Sequence, residues 1–97
     1  MSLERLNPPA LNAMAPVLNM IAEAYASSGK LSKAEATLRR SVKITELEHG
    51  AESEPMQVLF TNLAELLAKQ RRSVEAHDAR VRAARIQEAI EARARGP

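Results

Sequence analysis

A stretch running from Met14 to Glu48 returns 42 residues later, from Met56 to Ile90, with no insertion or deletion. Identities fall at Met14/Met56, Ala22/Ala64, Glu23/Glu65, Ala26/Ala68, Ala34/Ala76, Arg40/Arg82, Ile44/Ile86 and Glu46/Glu88. Apolar matches at Val17/Leu59, Leu18/Phe60 and Ile21/Leu63 fill several of the gaps. Self-similarity at a fixed period of roughly 20 to 50 residues marks an architecture in which one supersecondary unit recurs, because such a unit cannot bury its apolar face alone. The chain is expected to build one small structure twice.

Composition says what that structure is made of. Tyr25 and Phe60 are the only aromatics, there is no Trp, and Ala, Leu, Ile, Val and Met supply the apolar positions. With abundant Glu, Lys and Arg, this is a composition suited to helices. A length of 97 residues allows one small domain at most, with a limited core. The absence of Cys excludes disulfides, thiolate metal sites and a cysteine nucleophile. No apolar run approaches the roughly 20 residues that span a bilayer. The N-terminus lacks the basic and apolar succession of a secretory signal, so the expected location is cytoplasmic.

Periodicity divides the repeat into four helices. Residues 1–12 read as an N-terminal lead-in, since Pro8-Pro9 disfavours helix immediately before it. The first helix is expected from Asn12 or Ala13 to Ser28, with Met14, Leu18, Ile21, Ala22 and Tyr25 on one stripe. Pro16 then belongs to its first turn, and a helix that starts at Pro8 and kinks at Pro16 is the alternative. Gly29 ends it. Ser32-Lys33-Ala34-Glu35 has the form of a capping box opening a second helix, which stops near His49-Gly50. Its stripe is Leu31, Ala34, Leu38, Ser41, Val42 and Thr45, flanked by Ile44 and Leu47. Ser53 is a candidate N-cap and Pro55 an early residue of the third helix. That helix carries Met56, Leu59, Phe60, Leu63, Leu66 and Leu67 as far as Gln70. A fourth starts near Ser73 or Val74 and meets no Gly or Pro until Gly96. Short connections imply antiparallel neighbours. The expected organisation is a first repeat over 13–50, a second over 51–92 with an extended C-terminal helix, and a tail over 93–97.

The order Leu18, Ile21, Ala22, Tyr25, Gly29, Leu31, Ala34, Leu38, Ser41 resembles the tetratricopeptide repeat (TPR). The 42-residue period exceeds the usual 34 of that family and is similar to its kinesin-light-chain variety. Leu18 to Glu23 resembles the "LNNLA" start of that variety, and Leu38 to Ile44 its "YKRALAI" second helix. Phe60 to Ala64 and Arg82 to Ile86 occupy the same two places. The second copy departs from the pattern: Arg71 stands at the turn glycine, and Ser73 and Arg80 replace large apolar residues. A register shift turning Val74 and Val81 inward would repair the fourth helix. The resemblance implies an all-α stack of two antiparallel helix hairpins, an α–α superhelix with a long C-terminal helix.

It also implies a non-catalytic scaffold or adaptor that binds a peptide or protein through a groove lined by first helices. Carried onto this chain, the contact positions are Asn19, Glu23 and Ser27 in the first copy, and Thr61, Asn62, Glu65 and Lys69 in the second. Amides such as Asn19 and Asn62 suit an extended peptide backbone, and Glu23 with Glu65 favours a basic or amide-rich ligand. Two repeats leave one apolar end face uncovered unless the long fourth helix, or a second copy of the chain, covers it. A homodimer or membership of a longer array is therefore the expected assembly.

Other chemistry is poorly supplied. His49 and His77 are the only histidines, and His77 and Asp78 diverge by about 100° on a helix, so neither a metal set nor an acid–base pair is expected. No glycine-rich phosphate loop exists, and no cofactor is implied. Net charge is +2 but unevenly placed: from Lys69 onward eight bases meet four acids, against six bases and eight acids before it. A basic terminal helix is the alternative site, for nucleic acid or another acidic partner. Against it, acids interleave with the arginines in expected i, i+4 pairs Asp78/Arg82 and Glu91/Arg95, and no aromatics are there for base stacking.

Overall fold

The computed structural model describes the backbone of residues 7–96 and the side chains of residues 14–96. The described chain is all-α, with four helices: α1 Asn7–Ser27, α2 Leu31–His49, α3 Glu54–Lys69 and α4 Ser73–Arg95. They form two compact units, Met1–Glu48 and His49–Pro97. In the first, Asn19 meets Ser41 and Tyr25 meets Lys33, so advancing along α1 means retreating along α2. In the second, Glu52 meets Arg93 and Phe60 meets Arg82, which sets α3 and α4 antiparallel in the same way.

The 42-residue period holds to individual hydrogen bonds. At the end of α1 the Lys30 amide donates to the Tyr25 carbonyl at 2.9 Å and the Gly29 amide to that of Ala26 at 3.0 Å. At the end of α3 the Arg72 amide donates to Leu67 at 3.0 Å and the Arg71 amide to Ala68 at 2.9 Å. Both are Schellman turns, which need a left-handed residue just past the helix. Gly29 supplies it at φ 80° and Arg71 at φ 62°. Arginine thus accepts a conformation costing an L-residue about 1–2 kcal/mol rather than abandoning the turn. The next helix opens at once in both copies, with Ala34 donating to Lys30 at 3.0 Å and Ala76 to Arg72 at 2.9 Å.

That immediate restart corrects the expected capping box. Lys30 occupies the cap position, so Ser32 lies inside α2, and Glu35 instead accepts from Arg39 at 2.9 Å. Ser53 does stand before α3, yet its hydroxyl donates to the Gly50 carbonyl at 3.1 Å rather than capping the helix. At the N-terminus α1 spans Asn7–Ser27, so residues 7–12 of the expected lead-in are helix, and residues 1–6 of it lie outside the described residues. Pro8 and Pro9 fall in the first turn, where missing amides are no loss, and Pro16 is interior. At the other end α4 continues through Ala92, the equivalent of Gly50, to Arg95, so most of the expected tail is helix.

The buried stripes separate the copies. On α2, Ala34, Leu38, Ser41 and Thr45 are buried. On α4 they are Ala76, Ala79, Ala83 and Ile86, while Arg80, the equivalent of Leu38, is exposed. The expected register shift is absent: Val74 is exposed and Val81 half-exposed. The reason lies on α3, where Met56, Leu59, Phe60, Leu63, Ala64, Leu66 and Leu67 are all buried. Large side chains on α3 already fill the space, so small residues on α4 suffice for close packing.

Candidate partner-binding faces

Residues four apart share a helix face, so Asn19, Glu23 and Ser27 line one side of α1, as Thr61, Glu65 and Lys69 line one side of α3. These are equivalent positions pair by pair under the 42-residue period. Glu23, Ser27, Thr61, Glu65 and Lys69 are exposed, and Asn19 and Asn62 are half-buried. The exposed carboxylates are therefore available on each first helix, whereas other members are partly engaged. The Ser41 hydroxyl donates to Asn19 Oδ1 at 3.1 Å, tying that amide to α2. Thr61 Oγ1 donates to the Gln57 carbonyl of its own helix at 2.9 Å. Asn19 is thus a helix-pairing residue as well as a candidate contact. A polar residue within the apolar stripe of α2 was the available signal for that bond, because the large majority of buried hydroxyls have a partner. Thr45 in the same stripe is buried with its hydroxyl unpaired.

On α1 the expected apolar stripe divides. Leu18 and Ala22 are buried, and Met14 and Tyr25 are half-buried. Ile21 is exposed and joins Val17 and Met20, both exposed, on a different side of the helix. Tyr25 carries Lys33 Nζ above its ring, 5.9 Å from the centroid.

Three arginines of the second unit, Arg72, Arg82 and Arg93, are held by contacts within it. Arg72 forms a two-pronged pair with Glu75, at 2.8 Å from Nε and 2.6 Å from Nη2. Arg93 reaches Glu52 at 3.4 Å and also donates to its carbonyl. The expected i, i+4 pairs are not formed among the described residues. Arg82 instead covers the Phe60 ring at 4.8 Å, where the guanidinium gains from the ring face, and Glu91 accepts from Gln87 at 2.8 Å. Arg71, Arg80, Arg85 and Arg95 are exposed.

His49 and His77 are both exposed. Among the described residues no group of His, Asp and Glu is placed to hold a metal ion, and no helix is long and apolar enough to cross a membrane. These observations define the class as an all-α chain of two helix hairpins with repeated turn geometry. Comparison with family models, curated proteins and solved structures gives no match.

Proposed function

We propose that the chain is a non-catalytic tetratricopeptide-like interaction module, acting as a scaffold or adaptor in the cytoplasm and binding a peptide or protein partner through the outward faces of its first helices. The observation that carries this is the equivalence of Asn19/Thr61, Glu23/Glu65 and Ser27/Lys69 on helices that end in the same Schellman turn. A repeated turn presents repeated positions, and the pair preserved in identity and exposure is Glu23/Glu65. A basic or amide-rich extended peptide is the ligand such a pair favours, with Asn19 and Asn62 as backbone contacts. Self-association as a homodimer is part of the same reading.

An array of ten-residue peptides of varied charge, probed with the labelled chain, tests it. Lys-, Arg- and Gln-rich peptides should be retained, and the double variant Glu23→Lys/Glu65→Lys should lose them while keeping its helical circular dichroism. Retention indifferent to peptide charge, or unchanged in the variant, would sink the proposal.

A further inference from the structure

Two contacts join α1 to α2, and together they orient both helices. Asn19 meets Ser41, and Tyr25, about 120° away round α1, meets Lys33. The two contacts thus mark the two sides of the hairpin seam. On α1, Ile21 lies about 40° beyond Tyr25 in the direction away from Asn19, and Val17 about 40° further. On α2, Arg40 lies about 20° beyond Lys33 in the direction away from Ser41, and Lys43 about 60° further. An apolar row, Val17–Ile21–Tyr25, and a basic row, Lys33–Arg40–Lys43, therefore flank the same seam on the same side of the first unit. Because the helices are antiparallel, Lys33 stands beside Tyr25, and Lys43 stands near Val17, each two residues beyond the Asn19–Ser41 contact. The rows run alongside each other over their length.

Both rows are accessible. Val17 is 50% and Ile21 41% exposed, Tyr25 is half-buried, and the three bases are exposed. No acid interrupts them. Glu35, Glu46 and Glu48 lie about 90° or more round α2 from the centre of the basic row, and Glu23, the single charged residue of α1, is turned as far from the apolar one. The second copy lacks this face. Leu59, Leu63 and Leu67, the equivalents of Val17, Ile21 and Tyr25, are buried. Glu75 replaces Lys33, and Arg82, the equivalent of Arg40, is laid over Phe60. The same side of a first helix is packed in one unit and, in the other, is open beside uninterrupted positive charge.

We infer that this seam is a docking groove for an acidic amphipathic helix of a partner protein. Charge complementarity selects the occupant. Its apolar stripe covers Val17, Ile21 and Tyr25, and carboxylates on one flank meet Lys33, Arg40 and Lys43. The spacing sets its pattern. Lys33 and Arg40 are seven residues apart, close to two helical turns, so a helix laid along the seam matches them with acids at i and i+7. An anionic bilayer offers the same two chemistries. Against it, the groove has three bases where a lipid-binding cluster carries roughly four to eight, and its apolar row holds no Trp or Phe. A nucleic acid would leave the apolar row uncovered. A single docked helix makes a small interface, which places the dissociation constant in roughly the micromolar range. The groove goes beyond the peptide-binding reading above and does not rest on it, since Glu23 and Glu65 take no part and the preferred charge is opposite.

Fluorescence anisotropy with the full chain tests it. The probe is a labelled synthetic peptide about 18 residues long, enough to form a helix, with a Leu stripe flanked by Glu at i and i+7. Binding in the micromolar range that weakens with added salt is expected, and the same peptide with Lys in place of Glu should not bind. Ile21→Lys and Arg40→Glu should each weaken binding about tenfold or more with helical circular dichroism unchanged. Arg40 is exposed, so its variant decides the matter should Ile21→Lys fail to fold. Arg85→Glu, at the equivalent of Lys43 in the second unit, and Glu23→Lys/Glu65→Lys should leave the affinity as it is. No binding of the Glu peptide, equal binding of the Lys peptide, or a loss caused by Arg85→Glu and not by Arg40→Glu would overturn the inference. So would co-sedimentation with phosphatidylserine vesicles, lost in Arg40→Glu, by a chain that ignores the peptide. Loss of basic-peptide retention in Glu23→Lys/Glu65→Lys bears on the earlier proposal alone, so either can fail without the other.

Discussion

The two helix pairs share a turn and differ in what they enclose. In the first, α1 and α2 divide the buried load between Leu18, Ala22, Ala34 and Leu38, and add two buried hydroxyl residues, Ser41 and Thr45. In the second, α3 carries nearly all the large side chains and α4 answers with alanines and Ile86. The backbone turn is therefore the conserved element of the repeat, and the side-chain load is free to move from one helix to the other. The sharpest local contrast is Ile21 against Leu63, one register position in two environments. Truncating a buried leucine costs about 2–5 kcal/mol, through lost transfer energy plus the cavity left behind. Leu63→Ala should lose an amount in that range in urea titrations, while Ile21→Ala should lose about 1 kcal/mol or less. Equal losses would erase the distinction between the two faces.

Much of this contrast could be read from residues, and the part that could not has a physical reason. The α3 stripe from Met56 to Leu67 and the α4 start at Ser73 follow directly from spacing. On α1 the apolar residues occupy two sides, and periodicity alone cannot say which side meets α2, so Ile21, expected on the stripe of Leu18 and Ala22, is exposed instead. The departure at α4 misleads for a related reason. Arg80 in an expected core position suggests a rotated helix burying valines, but the volume of the α3 side chains makes Ala76, Ala79 and Ala83 adequate without them. Of the candidate contacts, the carboxylates at Glu23 and Glu65 are exposed. Asn19 is tied to Ser41 by a bond that needs the helix pairing to be known first.

The polar residues of the first pair offer a second way to press the comparison. Thr45 is buried with an unpaired hydroxyl, whereas its equivalent Gln87 is half-exposed and donates to Glu91. A buried hydroxyl without a partner bears a desolvation cost of about 1–3 kcal/mol that an apolar isostere of the same shape avoids. Thr45→Val should therefore raise stability by about 1 kcal/mol, seen as a higher urea midpoint with an unchanged slope. A loss of stability would mean that the hydroxyl finds a partner in solution.

The shared turn gives the smallest effect and the cleanest symmetry. Arg71→Gly and Gly29→Ala are opposite changes at equivalent left-handed positions. Relieving or imposing the left-handed strain is worth about 1–2 kcal/mol. Glycine's extra freedom in the unfolded chain opposes this by about 0.4–1 kcal/mol, and the strain term wins in both cases. Arg71→Gly should stabilise the chain and Gly29→Ala destabilise it, each by about 0.5–1 kcal/mol. No side-chain crowding interferes at Gly29, where an added Cβ meets nothing within 4 Å. The double variant should return close to the parent midpoint if the turns act independently, as distant sites usually do. A destabilising Arg71→Gly would show that the arginine side chain contributes more than its backbone strain costs, and the second turn would then no longer be a strained copy of the first.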